Sequence, residues 1–385
     1  MIPYGKQDIN QDDIDAVVAV LQSDFLTQGP QVPLFEEAVS KYCGVNFGVA
    51  ANSATSALHI ACLALDLKEG DKIWTSPNSF VASANCGLYC GAKVDFVDID
   101  LKTYNMSVLE LEKKLINAKL KSDLPKIVIP VHFAGQSCNM KKIHSLGVEY
   151  GFKIIEDASH AIGGKYLDKP IGSCNYSDIT VFSFHPVKII TTAEGGLATT
   201  NSKELAEKMR RFRSHGITRD KSLMTKTADG DWYYQQVDLG FNYRMTELQA
   251  ALGKTQIQRL NQFITRRHIL QKRYDMLLAD LPLTTPFQDK DSHSALHLYP
   301  IQLCLEDLDN TRQQIFSDLR ANGIGVNVHY IPIHTQPYYQ RLGFRQEDFP
   351  NSESYYSRVI TLPLFHTMTL NEQDEVVDIL RRVLK

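Results

Sequence analysis

Apolar residues recur along this chain in two alternating patterns, short runs typical of buried strands and 3–4 spacings typical of amphipathic helices. The helical spacing predicts a helix over residues 11–22 and a second helix after the loop Leu26-Thr27-Gln28-Gly29-Pro30. From there to residue 200 the two patterns alternate. Strands are predicted at 47–51, 72–76, 93–98, 126–133, 153–157, 180–184 and 196–200, and helices at 54–66, 79–90, 107–119 and 140–150.

Strands that alternate with helices predict an α/β fold, a mostly parallel seven-stranded sheet sandwiched by helices. Such a sheet binds ligands at the carboxyl ends of its strands. His132, Asp157 and Ser183 all lie near predicted strand ends of this kind. We therefore expect the functional site at this edge of the sheet.

The pattern changes after residue 245, where a long charged helix is predicted over residues 246–281. We predict that it links a large α/β domain, residues 1–245 with an N-terminal helical segment, to a smaller C-terminal α+β domain, residues 246–385. The smaller domain should contain strands at 296–304 and 325–331 and helices at 308–322 and 371–384. The polar and aromatic stretch 216–237 predicts a loop near the active site or the subunit contact.

Composition narrows the class of protein. Hydrophobic residues make up 43% of the 385 residues and charged residues 22%, enough for a sizeable core. The net charge of −3 argues against a general nucleic-acid binder. No apolar run has the length of a membrane span, and the first residues do not resemble a signal peptide, so we expect no membrane partner. The 7 cysteines show no CxxC spacing, which favours reduced thiols, a cytoplasmic enzyme and no metal site; Cys86 and Cys90 are interpreted as packed helix residues.

Asp157 and Lys188 are the residues most informative about chemistry. Asp157 ends the apolar run that begins at Phe152, and Lys188 follows the next predicted strand in the stretch Ser183-Phe184-His185-Pro186-Val187-Lys188. A lysine can form a Schiff base with pyridoxal 5'-phosphate, while an acid keeps the pyridine nitrogen protonated so that the ring can accept electrons. The pair therefore predicts a pyridoxal-phosphate enzyme, with aminotransferase as the favoured activity.

Other residues have both a structural and a functional interpretation. The stretch Asn52-Ser53-Ala54-Thr55 opens a helix, and it is either an ordinary helix cap or a phosphate site. Phe80 is either a core residue or a ring that stacks on the cofactor. His160 is either structural or a partner for the ring hydroxyl or the acid. His132 and Gln136 are either packing residues or sugar contacts.

Several motifs follow one another along the chain: Leu26-Thr27-Gln28-Gly29, Asp157-Ala158-Ser159-His160, Ser183 to Lys188 with Glu194-Gly195-Gly196, Gly240-Phe241-Asn242-Tyr243-Arg244-Met245 and Val328-His329-Tyr330-Ile331-Pro332-Ile333. In this order they resemble the motifs of the DegT-type nucleotide-sugar aminotransferases, a family of fold-type I pyridoxal-phosphate enzymes. The resemblance spans nearly the whole chain, and within the family it is strongest to the subfamily that aminates a UDP-linked 4-keto sugar in pseudaminic acid biosynthesis.

The resemblance implies a role for each matching residue. Lys188 and Asp157 would be catalytic, and the cofactor would also be contacted by Ala54, Thr55, His160, Ser183 and Asn242, in addition to the Ser53 and Phe80 contacts predicted from their positions. Asn242 would reach the cofactor phosphate of the partner subunit, which implies a homodimer with shared active sites. The sugar substrate would be contacted by Tyr4, Asp24, Phe25, Leu26, Thr27, Ala54, Ser183, Asn242, Gly325, Val326, Asn327 and Val328. Arg244 is a candidate for a carboxylate or phosphate, with a structural ion pair as the alternative.

The implied reaction moves the amino group of L-glutamate to C4 of a UDP-linked 4-keto-6-deoxy-N-acetylhexosamine. Pyridoxamine 5'-phosphate would be the intermediate form of the cofactor, and 2-oxoglutarate the first product. A different UDP- or dTDP-linked keto-sugar, aminated at C3 or C4, is the alternative substrate. Some family members replace the lysine with histidine and act as dehydrases, whereas this chain keeps Lys188. A dehydrase or a non-catalytic sensor on the same fold remains the second alternative.

Overall fold

The computed structural model describes residues 1–385. It contains 13 α-helices. In chain order they are α1 Gln11–Leu21, α2 Gln31–Cys43, α3 Ala54–Ala64, α4 Ala82–Tyr89, α5 Val108–Leu120, α6 Met140–Tyr150, α7 Lys203–Arg213, α8 Glu247–Gln258, α9 Leu260–Leu277, α10 Arg312–Ala321, α11 Pro337–Arg341, α12 Pro350–Arg358 and α13 Leu370–Val383. The 17 strands are β1 Ile2–Pro3, β2 Phe47–Ala51, β3 Lys72–Thr75, β4 Lys93–Phe96, β5 Ile127–Ile129, β6 Lys153–Asp157, β7 Lys165–Tyr166, β8 Lys169–Pro170, β9 Ile179–Ser183, β10 Gly196–Thr200, β11 Ile217–Thr218, β12 Gln235–Gln236, β13 Leu283–Thr284, β14 Ser292–His293, β15 Tyr299–Leu303, β16 Ile324–Gly325 and β17 Val359–Leu362.

The central sheet has seven strands in the order β2-β10-β9-β6-β5-β3-β4. Neighbouring strands from β9 to β4 pair in parallel, and β10 alone runs antiparallel to both of its neighbours. This arrangement confirms the predicted α/β class and the mostly parallel seven-stranded sheet. The carboxyl ends of β6 and β9 lie side by side, because Asp157 is opposite Val181 in the pairing of these strands.

Both faces of the central sheet are covered by helices. Consecutive residues of one strand therefore belong to different hydrophobic clusters: Val181 packs with α3 and α4, whereas Phe182 packs with α2 and α8. Every residue of β9 and of β10 is buried. Burial on both sides explains why these strands appear in the sequence as continuous apolar runs rather than as an alternating pattern.

The C-terminal part forms an antiparallel sheet in the order β13-β15-β17, with α10 and α13 packed in the same hydrophobic cluster. Ile2 belongs to that cluster too, since β1 pairs in parallel with β16. The predicted strand at 325–331 is wrong beyond Gly325, because the chain leaves β16 and returns only through an isolated bridge between Asn327 and Thr361. α7, α12 and β17 were not predicted.

The prediction of one continuous helix over residues 246–281 is also wrong. α8 and α9 are separate helices that meet at Arg259. The guanidinium of Arg259 turns back to the N-terminal segment, where it donates to Asp8 at 2.9 Å and to the fully buried Asp13 at 2.5 Å. The hydrophobic cluster that contains α2 and β9 also includes residues of α8 and of the first half of α9. The division into two domains at residue 245 stays a prediction.

All seven cysteines are free thiols. The thiols of Cys86 and Cys90 donate to the backbone carbonyls of Ser83 and Cys86, at 3.3 and 3.4 Å, which confirms their interpretation as packed helix residues. None of the helices combines the length and the apolar character that crossing a membrane requires.

Candidate active site

Lys188 lies in the loop that follows β9. The loop is closed by two backbone hydrogen bonds, from the Phe184 amide to the Gly195 carbonyl at 2.9 Å and from the Thr192 amide to the Phe184 carbonyl at 3.0 Å. Burial lowers the pKa of the Lys188 amine to about 8, and the Asp157 carboxylate opposes this shift. An amine with a pKa near 8 is partly neutral at physiological pH, so it can act both as a nucleophile and as a base.

Asp157 ends β6 and is 4% exposed. Its Oδ2 atom accepts a hydrogen bond from the Ser83 hydroxyl at 2.6 Å, and its Oδ1 atom accepts one from the Ser159 amide at 3.1 Å. The carboxylate is the one charge that raises the pKa of the nearby Lys188. A carboxylate has about four acceptor positions, so these two bonds leave room for a further donor such as a protonated ring nitrogen. The structure thus places Asp157 and Lys188 in one site.

His160 uses both of its ring nitrogens within the chain. Nδ1 accepts from the Ala134 amide at 3.3 Å, and Nε2 lies 3.1 Å from the Tyr330 hydroxyl. Burial, followed by the charge of Lys188, holds the pKa of His160 well below its usual value. The ring is therefore neutral, with its proton on Nε2, and donates to Tyr330. The predicted bond from His160 to the acid is not formed, because no ring nitrogen is left for it.

The site contains three further residues, His297, His329 and Tyr330, that the sequence did not predict as site residues. The rings of His297 and His160 have centroids 4.5 Å apart, and Tyr330 stacks on His160 at 6.0 Å. Burial and the charge of Lys188 lower the pKa of His329 to about 3. Burial also lowers the pKa of His297, whose Nδ1 has no hydrogen-bond partner. The aromatic wall of the site is thus uncharged.

The start of α3 provides the candidate phosphate site. The Ser53 hydroxyl accepts from the Ser56 amide at 3.1 Å, so Ser53 acts as the helix cap. The amides of Ala54 and Thr55 have no partner in the chain, and unpaired amides at a helix N-terminus bind anions. Gly196 packs directly against this turn, since a Cβ atom there would lie 2.5 Å from the Ala54 nitrogen. The helix end is therefore close to the loop that carries Lys188.

Phe80 precedes α4 and is 60% exposed, so the interpretation as a core residue is wrong. Its ring centroid lies 6.5 Å from that of Tyr330. Ser183, at the end of β9, is buried and lies opposite Gly196 in the sheet. His132 is also buried: its ring lies 2.6 Å from Glu156 and accepts from the Cys138 amide, which favours packing over sugar contact.

Part of the predicted substrate set converges on the same site. The pairing of β1 with β16 brings Tyr4 to His329, with ring centroids 5.3 Å apart. Burial raises the pKa of Tyr4, and a hydrogen bond from Asn327 partly offsets this rise. Gly325 is buried beneath β1, and Val328 is half-buried. The side chain of Val326 is fully buried in the C-terminal core, and its contact with the substrate stays a prediction.

The remaining predicted residues lie on the surface around the start of α8. Asp24, Phe25, Leu26 and Thr27 form an exposed loop whose Leu26 carbonyl accepts from the Glu247 amide at 3.0 Å. Asn242 is exposed, and its neighbours Phe241 and Tyr243 stack at 4.9 Å. The Asn242 carbonyl lies 3.5 Å from the side-chain amide of Asn52, just before α3. Arg244 forms no ion pair within the chain, although Arg211 and Arg213 do. The structural ion pair that was the alternative for Arg244 is therefore not observed.

The chain is similar to known proteins over its full length. It is 37% identical over 386 residues to the UDP-4-amino-4,6-dideoxy-N-acetyl-beta-L-altrosamine transaminase of Campylobacter jejuni strain 81-176, covering 100% of this chain and 98% of the relative. It is also 37% identical over 387 residues to the spore coat polysaccharide biosynthesis protein SpsC of Bacillus subtilis, covering 100% of this chain and 97% of that protein.

Solved structures show the same fold. Helicobacter pylori PseC, described as an aminotransferase involved in the biosynthesis of pseudoaminic acid, matches with a TM-score of 0.90 and 32% identity, covering 100% of this chain and 99% of that chain. The PLP-form of the sugar aminotransferase Spr1654 from Streptococcus pneumoniae, itself described as putative, has a TM-score of 0.88 and 29% identity, with 100% of each chain covered. The profile of the DegT/DnrJ/EryC1/StrS aminotransferase family matches residues 7–381. This chain therefore belongs to the DegT/DnrJ/EryC1/StrS aminotransferase family.

Proposed function

We propose that this protein is a pyridoxal-phosphate-dependent nucleotide-sugar aminotransferase. Its reaction would move the amino group of L-glutamate to C4 of a UDP-linked 4-keto-6-deoxy-N-acetylhexosamine. The observation that carries the proposal is the Lys188 amine, with its pKa lowered to about 8, next to the buried Asp157 carboxylate in a member of an aminotransferase family.

The residues of the site fit pyridoxal 5'-phosphate. The unpaired amides of Ala54 and Thr55 offer donors to its phosphate, and the free acceptor positions of Asp157 suit its protonated ring nitrogen. The exposed ring of Phe80 suits stacking on a flat heterocycle. When bound, this cofactor supplies an aldehyde for the lysine and an electron-withdrawing ring. His160 is proposed as a wall of the ring pocket that holds the Tyr330 hydroxyl in place.

Lys188 is proposed to move the proton. Once released from the cofactor, its Nζ atom would accept the proton from the α-carbon of the amino donor. In the second half of the reaction, when the keto-sugar is aminated, the same atom would take part in the reverse proton transfer. A pKa near 8 suits both directions, because neither the neutral nor the charged form of the amine is rare near neutral pH. Asp157 holds the charge that keeps the ring nitrogen protonated. The same site would then serve the amino donor and the keto-sugar in turn.

The sugar substrate is proposed from the relatives. The Campylobacter relative is named for a UDP-linked altrosamine, and PseC for pseudoaminic acid biosynthesis. Tyr4, Asn327 and Val328 lie where a bulky substrate could reach the site, and Arg244 has no acidic partner of its own. SpsC has the same identity to this chain, so another nucleotide keto-sugar, UDP- or dTDP-linked, is the alternative.

A homodimer with shared sites is part of the proposal. Asn242 is exposed in the single chain, as a residue that serves a partner's site would be. A cytoplasmic location is also proposed, and the seven free thiols are compatible with it.

The test is to incubate the purified protein with L-glutamate and a panel of UDP- and dTDP-linked keto-sugars, with products read by mass spectrometry and NMR. The expected product is a 4-amino sugar from the UDP-linked substrate, together with 2-oxoglutarate. Lys188→Ala should abolish both the visible absorbance of the lysine-linked cofactor and amino transfer. Turnover by Lys188→Ala, or a dehydrated product without a new amino group, would refute the proposal.

A further inference from the structure

Two buried serines lie in line behind the Asp157 carboxylate. The hydroxyl of Ser83 is 2.6 Å from Oδ2 of Asp157, and the hydroxyl of Ser79 is 2.7 Å from that of Ser83. Ser83 is 0% and Ser79 4% exposed, so water does not compete with these bonds.

The direction of the hydrogen bonds follows from chemistry. An ionised carboxylate can only accept, so the Ser83 hydrogen is donated to Asp157. A hydroxyl has one hydrogen, and therefore Ser83 must accept from Ser79 at its own oxygen. The order is Ser79 to Ser83 to Asp157. In such a chain each bond polarises the next, and the stabilisation is delivered to the carboxylate.

The position of Ser83 strengthens this effect. It lies in the first turn of α4, so the positive end of that helix is next to the Asp157 carboxylate. Phe80 lies just before the same helix, and Asn78 accepts from the amide of Tyr330 at 3.3 Å. One short segment, residues 78–83, thus contacts Asp157 and Tyr330 and carries Phe80, the candidate stacking ring.

We propose that Ser79 and Ser83 are positioning residues that stabilise the charged form of Asp157 and so keep the proton on the nitrogen of the cofactor ring. This inference rests on the proposed use of pyridoxal phosphate. A proton between a carboxylate and a pyridine nitrogen can lie on either partner. Hydrogen bonds to the carboxylate favour the pair in which the acid is ionised and the nitrogen protonated. Without Ser83, the state with a protonated acid and an unprotonated nitrogen becomes more populated, and the ring accepts electrons less well.

The experiment uses the holoenzyme loaded with pyridoxal 5'-phosphate that is ¹⁵N-labelled in the ring. The ¹⁵N resonance reports directly whether the nitrogen carries a proton. Ser83→Ala should move the resonance towards the unprotonated position and lower kcat about tenfold, the size expected for one lost hydrogen bond to a charged group, with KM for the amino donor little changed. Ser83→Thr keeps the hydroxyl and should restore both values. Ser79→Ala should shift the resonance in the same direction by a smaller amount.

The matched control is Ser352→Ala. Ser352 is also fully buried and donates to a carboxylate, Asp98, at 2.8 Å, but that carboxylate does not contact Lys188 or Asp157. This variant should keep the native ¹⁵N resonance. A native resonance in Ser83→Ala overturns the proposal; if that variant does not fold, a native resonance in Ser79→Ala does so. Because the resonance requires only the bound cofactor, failure to aminate any sugar would refute the proposed function and leave this test intact.

Discussion

The pKa of Lys188 leads to a prediction about how the chain acquires its cofactor. Burial lowers this pKa from 10.5 to about 8, and only the neutral amine attacks an aldehyde. The rate of covalent attachment of pyridoxal phosphate to the cofactor-free chain should therefore rise with pH, about tenfold per unit below pH 8, and level off above it. Stopped-flow absorbance over a pH series measures this. A rate that keeps rising to pH 10 would show that the amine is not desolvated.

Asp157→Asn provides the control for this pH profile. The carboxylate raises the pKa of Lys188, so its removal should move the midpoint of the profile to lower pH. A surface substitution such as Lys203→Ala should leave the midpoint where it is. An unchanged midpoint in Asp157→Asn would mean that the two charges do not interact.

At the residue scale, the sequence identified the two central groups because Asp157 ends one apolar strand and Lys188 lies in the loop after the next. The pattern of neighbouring residues is therefore enough to predict Asp157 and Lys188. His297, His329 and Tyr330 were missed as site residues because no local signal distinguishes a histidine that lines a site from one that packs in a loop. Their place depends on the pairing of β1 with β16 and on bonds such as that between Tyr355 and the His329 carbonyl.

Gly196 shows how one element positions another. It begins β10 and lies against the first turn of α3, where an added Cβ would come within 2.5 Å of backbone atoms of Ser53 and Ala54. The added Cβ atom of Gly196→Ala should displace the amides of Ala54 and Thr55 from their positions at the start of α3. We expect a loss of about 1–3 kcal/mol in the free energy of unfolding and weaker cofactor binding. Thermal unfolding of the cofactor-free chain and a fluorescence titration with pyridoxal phosphate measure the two effects.

Gly44→Ala separates steric displacement from general destabilisation. Gly44 has φ +67°, and a Cβ there would meet nothing within 4 Å. The substitution should therefore lower stability through backbone strain, by about 1 kcal/mol, and leave cofactor affinity unchanged. Equal loss of affinity in both variants would contradict a specific role for Gly196.

At the element scale, prediction was best where burial imposes a regular pattern. β2, β6, β10 and α6 begin and end at the predicted residues. α7 was missed although its apolar residues Leu205, Ala206, Met209 and Phe212 follow a helical spacing and pack against the core. The break between α8 and α9 was missed; at this point Arg259 bonds Asp8 and Asp13, about 250 residues earlier, a contact that no local pattern reveals.

At the scale of the whole molecule, the proposed homodimer predicts that Asn242 of one chain completes the site of the other. Within one chain, Asn242 is exposed and its backbone lies next to Asn52, so proximity alone does not decide whether its side chain serves its own α3 or a partner's. Subunit mixing decides it. Lys188→Ala and Asn242→Asp should each be inactive alone, the first without its amine and the second with a charge that repels the cofactor phosphate.

If Asn242 acts in the partner's site, a mixed dimer of these two variants contains one site with both native residues. Random exchange of equal amounts makes half of the dimers mixed, so activity should recover to about a quarter of the native value. If Asn242 acts in its own chain, both sites of the mixed dimer are defective and nothing recovers. Lys188→Ala mixed with Asp157→Asn is the control, because these residues meet within one chain and no exchange can rebuild their site. Recovery in the first mixture but not in the second would establish that each active site is built from two chains.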